Sequence, residues 1–105
     1  MADSILGRGI GRRKTSVARV YVRKGSGKIT VNGRDVEAYF ASPERAYVVR
    51  QPLEVVDGLS QYDIAVTVSG GGLTGQAGAI RHGLSRALVV VDQTNYATLR
   101  ANGFM

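Results

Sequence analysis

From Ser16 to Lys24 apolar and polar positions alternate, with Ala18, Val20 and Val22 on one side and Val17, Arg19, Tyr21 and Arg23 on the other. A period of two is that of a half-buried strand. Lys28–Asn32 repeats the pattern over a shorter span, with Ile29 and Val31 inward. Gly25-Ser26-Gly27 supplies a turn between the two runs, so together they read as a β-hairpin, which Asn32-Gly33 ends. Tyr62–Ser69 alternates again, with Tyr62, Ile64, Val66 and Val68 on one face. This third strand closes on Gly70-Gly71-Gly72.

The remaining apolar positions follow helical spacing. Asp35 can cap a short helix running to Phe40, with Val36, Tyr39 and Phe40 on its buried side. Ser42-Pro43-Glu44 combines a cap, a proline in the first turn and an acid near the positive helix end. That helix is expected to reach about Arg50, where Pro52 interrupts or restarts it before an apolar stretch to Asp57-Gly58. From Gly75 to about Val91, Ala77, Ile80, Leu84, Ala87, Leu88 and Val91 form a core stripe, with Gln76, Arg81, His82, Ser85 and Arg86 outside it. Gly75, Ala79 and Gly83 put small residues four apart, a face that another backbone can approach closely. Glycine inside a helix costs about 1 kcal/mol, so a packing or contact reason is expected. Residues 93–103 read as a short last helix. The order β-β-α-α-β-α-α implies an α/β two-layer sandwich, a small mixed β-sheet with helices packed on it. Residues 1–15, with three glycines and four cations and no periodicity, read as a flexible basic arm; residues 16–105 read as one globular domain.

Composition narrows the chemistry. A chain of 105 residues supports one modest core, burying about 65% of its unfolded surface. Cysteine is absent, which removes disulfides, thiolate metal sites and cysteine nucleophiles and fits a reducing, cytoplasmic setting. His82 is the single histidine, so no multi-histidine metal site is expected, and no cofactor. The longest apolar run, Ala87–Val91, is far short of the ~20 residues of a membrane span, and the basic first twenty residues hold no secretory apolar segment.

Charge changes the picture further. Residues 1–34 carry nine Lys and Arg against Asp3 alone, a net +8, while residues 35–105 carry a net −2. A one-sided field of this kind suits a polyanion, although a basic segment can also be a solvated arm with no partner. Eleven of the fourteen cations are Arg, whose planar fork matches phosphate and stacks on bases, favouring nucleic acid over a lipid surface. No segment sets a basic face against the broad apolar face that an interfacial helix needs. The candidate RNA contacts are Arg12, Arg13 and Lys14 on the arm, Arg19, Tyr21, Arg23, Lys24 and Lys28 on the hairpin, and Gly70, Gly71, Gly72, Gln76, Arg81, His82 and Arg86 around the glycine-rich turn.

Gly70-Gly71-Gly72-Leu73-Thr74-Gly75 also satisfies G-x-G-x-x-G between a strand and a helix, and Asp92 follows after the strand-like Leu88–Val91. A dinucleotide fold is nevertheless disfavoured. Gln76–Asp92 is short for a helix, a loop and a returning strand, only thirteen residues follow, and no catalytic set accompanies the turn. Bare glycine backbone at a helix start can instead approach an RNA phosphate, or simply make a sharp turn. His82 beside Arg81 and Arg86 suits a hydrogen bond to phosphate or base rather than catalysis.

The run Gly11-Arg-Arg-Lys-Thr-Ser-Val-Ala-Arg-Val20, then Gly27–Asn32, Tyr39-Phe40, Arg50-Gln-Pro-Leu53 and Gly70–Leu88, resembles the bacterial-type small-subunit ribosomal protein nine family, over roughly residues 8–92. The resemblance implies a non-enzymatic rRNA-binding protein in the head of the small subunit, with rRNA and neighbouring head proteins as partners and no membrane or small-molecule substrate. It also implies a fold shared with the C-terminal domain of small-subunit ribosomal protein five, including a left-handed β-α-β crossover, which the usual right-handed preference would not suggest. Family members continue into a Lys/Arg-rich tail that threads through rRNA towards the peptidyl tRNA. This sequence closes on Gly103-Phe104-Met105, so the tail's tRNA contact is not carried over. Two other readings stand beside this one: a nucleotide-binding enzyme using Gly70–Gly75, and a truncated or engineered ribosomal-protein core without a ribosomal role.

Overall fold

A computed structural model describes residues 4–105. The first three residues of the expected arm, among them Asp3, the one acid of the basic N-terminal third, lie outside the described residues.

Five strands form one mixed sheet in the order β1-β2-β5-β3-β4. They are β1 (Ile5–Arg13), β2 (Ser16–Lys24), β3 (Ile29–Val31), β4 (Arg34–Asp35) and β5 (Tyr62–Ser69), with α1 (Val36–Phe40) and α2 (Pro43–Val55) before β5 and α3 (Leu73–Val91) and α4 (Asn95–Ala101) after it. The alternation reads correctly in β2 and β5: Ala18, Val20, Val22, Ile64, Val66 and Val68 are buried on one face. Helices cover that face, and Ile80, Leu84 and Leu88 of α3, Val49 and Leu53 of α2, Phe40 of α1 and Leu99 of α4 complete the core. The opposite face, with Arg8, Arg19 and Thr67, is exposed.

Two sequence expectations are corrected. Residues 5–13 are not an arm but an edge strand paired antiparallel with β2, in register from Gly7–Val22 to Arg13–Ser16. The glycines make this possible. Gly7, Gly9 and Gly11 all point at α3, and their missing side chains let the strand lie directly on the helix. A methyl group at Gly7 would stand 2.7 Å from the Ala87 carbonyl oxygen, one at Gly9 would stand 2.7 Å from the Ala87 nitrogen, and one at Gly11 would collide with the Ala79 carbonyl and the Gly83 nitrogen. Two strand residues advance about 6.6 Å and four helix residues about 6 Å, so the strand's glycines keep step with Ala87, Gly83 and Ala79. This is the close approach that the small-residue stripe on α3 anticipates.

The second correction concerns β2 and β3, which do not pair with each other. Both pair with β5, β2 antiparallel and β3 parallel, with Ile29 opposite Ile64 and Val31 opposite Val66. The turn Gly25–Gly27 is instead held by Asp63 of β5, whose Oδ1 accepts from the backbone N–H groups of Ser26, Gly27 and Lys28 at 3.0, 3.2 and 3.0 Å. Those three bonds stabilise the ionised carboxylate and hold its pKa below the usual Asp range.

The helix caps behave as expected. Asp35 Oδ2 accepts from the Glu37 N–H at 3.1 Å, and Ser42 Oγ accepts from the Arg45 N–H at 3.3 Å. Pro52 does not end α2, which continues to Val55. Its ring removes one amide donor near the helix end, while Pro52 and Leu53 are both buried and bind the last turn to the core. Leu88–Val91, strand-like in sequence, is the last turn of α3.

Candidate nucleic-acid interface

The β1–β2 hairpin turns through Lys14 and Thr15, with Lys14 at a left-handed φ of 55°. This tip stands against the start of α3, and the two meet at Gly70. Ser16 Oγ donates to the Gly70 carbonyl at 2.9 Å, and Gln76 Nε2 donates to the same oxygen at 3.1 Å. Gly70 and Gly71 adopt φ values of 81° and 65°, which glycine tolerates best. A methyl group on either would strike the hairpin, at the Thr15 carbonyl or Ser16 Oγ. The glycine run therefore first serves to seat the tip.

That seating leaves a cleft of about 280 Å³ between Arg13–Ser16 and Gly71–Gly75. On its far wall α3 begins at Gly72 with no side-chain cap and no acid in the first turn. The partial positive charge of a 19-residue helix is thus left facing Arg13 and Lys14. Arg12, Arg13 and Lys14 are exposed. Arg12 and Arg13 also line a neighbouring cleft with Arg81, His82 and Phe104. Further along α3, Arg86 shares a third cleft with Arg8, Arg19 and Tyr21. The guanidinium of Arg8 lies over the Tyr21 ring, 5.9 Å from its centroid. Among the described residues the one ion pair is Arg50 with Glu37, so none of these cations is neutralised by a carboxylate.

The expected contact residues thus fall into groups. Arg12, Arg13, Lys14, Gly71, Gly72, Arg81 and His82 converge on the tip and the first half of α3, and Arg19, Tyr21 and Arg86 continue the band along the edge of the sheet. Arg23, Lys24 and Lys28 are elsewhere. They lie at the opposite end of β2, a strand of nine residues and thus about 26 Å long. Arg23 there faces Asp63 across the sheet.

Gln76 is a correction: it is only 8% exposed, and its amide is occupied inside, by the Gly70 carbonyl and by the Tyr39 hydroxyl, which donates to Oε1 at 2.7 Å. Ser85 likewise is not outside the stripe; it is buried and its Oγ donates to the Arg81 carbonyl at 2.8 Å. Burial pushes the pKa of His82 down, and the positive charge of Arg86 adds to the shift, so the site favours the neutral imidazole.

Arg8 and Arg45 were not singled out by sequence. Arg8 and Arg12 share the face of β1 opposite Gly7, Gly9 and Gly11, a period of two that the apolar pattern does not mark because glycine is its other phase. Arg45 has none: it joins the site because its Nε donates to Thr74 Oγ1, 29 residues away, at 3.2 Å.

A sequence model of the family described as ribosomal protein S9/S16 matches residues 11–105. The chain belongs to that family. As a member of the S9/S16 family it is a ribosomal protein, a structural constituent of the small subunit and part of the translation apparatus. The match begins at Gly11, inside β1, and takes in the hairpin tip, the glycine-rich turn and the whole of α3. Among the described residues α3 is followed by α4 and by no returning parallel strand, so the dinucleotide reading of Gly70–Gly75 finds no counterpart there. Among the described residues no helix is long and apolar enough to cross a membrane.

Proposed function

We propose that this S9/S16 protein holds small-subunit rRNA in the head of the subunit along one basic band, formed by the hairpin tip, the uncapped start of α3 and the edge of the sheet. The observation that carries the reading is the tip: Arg12, Arg13 and Lys14 pair with no carboxylate among the described residues and stand beside a helix start that lacks a side-chain cap. In this reading Arg12, Arg13, Lys14, Arg19, Arg81 and Arg86 contact phosphate and sugar, His82 donates or accepts a neutral hydrogen bond, and the Gly71–Gly72 backbone approaches a phosphate. Tyr21, sandwiched among cations, offers an edge for a base. Arg23, Lys24 and Lys28 serve a second, separate contact, and Gln76 serves the fold. Recognition is of folded RNA shape through the backbone, with no base code and no chemistry performed. Neighbouring head proteins complete its surroundings on the cytoplasmic ribosome.

If about six phosphates are neutralised, the logarithm of affinity for a head-domain rRNA fragment falls with the logarithm of salt by a slope of about −4 to −5. Fluorescence anisotropy between 50 and 300 mM salt measures it. A weak affinity with a flat salt response overturns the reading.

A further inference from the structure

A cleft of about 480 Å³ opens between the first turns of α2 and α3, beside the hairpin tip. Arg13, Arg45 and Arg81 stand on its walls, and Val48, Ala77 and Gly78 form an apolar floor. The guanidinium groups of Arg45 and Arg81 are each held by neutral neighbours, and Arg13 is placed by its stem. The stem of Arg13 lies across bare Gly78, where a methyl group would stand 3.2 Å from its Cδ. Arg45 Nε is tied to Thr74 Oγ1, and Arg81 Nη1 donates to Gln51 Oε1 at 2.8 Å while its guanidinium lies over Phe104, 5.1 Å from the ring centroid. Among the described residues none of the three pairs with a carboxylate. The single acid on the wall is Glu44, whose Oε1 accepts from Ser42 Oγ at 3.3 Å and whose other oxygen is left over.

Three pre-positioned, unneutralised forks match a phosphate, and arginine planes beside an apolar floor match the face of a base. A carboxylate cannot serve the phosphate; it suits a hydroxyl donor, and a ribose supplies one. The volume is that of a small-ligand site rather than of a duplex groove. We propose that this cleft seats one unstacked ribonucleotide, its phosphate on Arg13, Arg45 and Arg81, its base against Val48 and the Arg13 stem that lies over Gly78, and its 2′-hydroxyl donating to Glu44. The unit recognised is a nucleoside phosphate, free or within an RNA chain; its supply by rRNA rests on the RNA-binding reading above.

Amide NMR of the whole chain, titrated in turn with adenosine monophosphate, its 2′-deoxy analogue, inorganic phosphate and a hexa-adenylate oligoribonucleotide, tests this. Adenosine monophosphate is expected to shift Val48, Thr74, Ala77 and Gly78 together. The deoxy analogue and phosphate are expected to bind several-fold more weakly, and Arg45→Ala to weaken the nucleotide about tenfold or more without changing Tm. Glu44→Ala should erase the difference between ribose and deoxyribose. Equal affinity for phosphate and nucleotide, or shifts that avoid the cleft, overturns the proposal. If the oligonucleotide binds with steep salt dependence while the cleft stays silent, the seat fails and the RNA-binding reading stands. If the mononucleotide fills the cleft and neither the oligonucleotide nor the head-domain rRNA fragment binds, the seat stands for a free nucleotide and the RNA-binding reading fails.

Discussion

The two ends of β2 carry similar charge and opposite wiring. At one end Arg23, Lys24 and Lys28 surround the Gly25–Gly27 turn, where the Gly25 N–H is taken by the Gln61 carbonyl and those of Ser26, Gly27 and Lys28 by Asp63. At the other end Arg12, Arg13 and Lys14 surround a turn packed against α3, whose first residues meet no acid and no cap. An N–H group that already serves a carboxylate has little left for a phosphate, and the carboxylate repels one. On the proposed reading, basic composition alone does not fix where an anion binds. What decides is whether the backbone donors nearby are already satisfied.

The largest effect is expected from breaking the seam that holds the open end together. Gly11→Val forces branched carbons into the backbone of Ala79 and Gly83, neither of which can swing aside. Chemical denaturation should show a loss of about 3 kcal/mol or more, or no folded protein. A loss under 1 kcal/mol means that β1 does not lie on α3 as described.

Next is the contrast in RNA affinity. Replacing Arg12, Arg13 and Lys14 with Ala should weaken rRNA binding about a hundredfold at low salt and reduce the salt slope by about 2 to 3. The circular dichroism spectrum should stay unchanged, since all three side chains are exposed. The matching triple change at Arg23, Lys24 and Lys28 should cost much less, within about tenfold. Equal losses would erase the distinction between the two ends.

A smaller effect is expected at the closed end. Asp63→Ala leaves three turn N–H groups to water and should lower stability by about 1 kcal/mol at neutral pH. Because the folded state lowers the Asp63 pKa, the unfolded chain binds the proton more readily. The contribution is thus present above the ordinary Asp value of about 4 and fades as the pH falls below it. Urea melts of the parent and the variant should converge progressively as the pH is taken below about 4; a constant gap down that series contradicts the assignment.

The smallest stability change comes from closing the open end. Gly72 sits at the α3 N-cap in extended backbone, and a side chain there meets nothing within 4 Å. Gly72→Asp should cap the helix and raise stability by a few tenths of a kcal/mol, while lowering RNA affinity through an added negative charge. A variant that gains both stability and affinity would show that no phosphate approaches this turn.

Local patterns were legible in advance. The alternation in β2 and β5 set their buried faces, Asp35 and Ser42 cap the helices that they were expected to cap, and the helical period placed Ile80, Leu84 and Leu88 in the core. The basic residues and the glycine-rich turn were legible as chemistry, and the ordered motifs pointed to the family. Each of these depends on residues within a turn or two of one another, where backbone geometry alone fixes the relation.

Everything that failed depends on partners distant in the chain. Gly7, Gly9 and Gly11 looked like an arm because glycine has no hydrophobic signal of its own; only a helix some seventy residues later turns their bareness into a buried face. A turn between β2 and β3 suggested a hairpin, but β5 pairs between them. Gln76 and Ser85 are polar by type and buried by place, with their hydrogen bonds met by Tyr39, Gly70 and Arg81. Sequence determined which residues carry charge, which faces are apolar and where helices start. The tertiary structure decided which cations share a site and which donors remain free, because both depend on contacts between segments that no local period records.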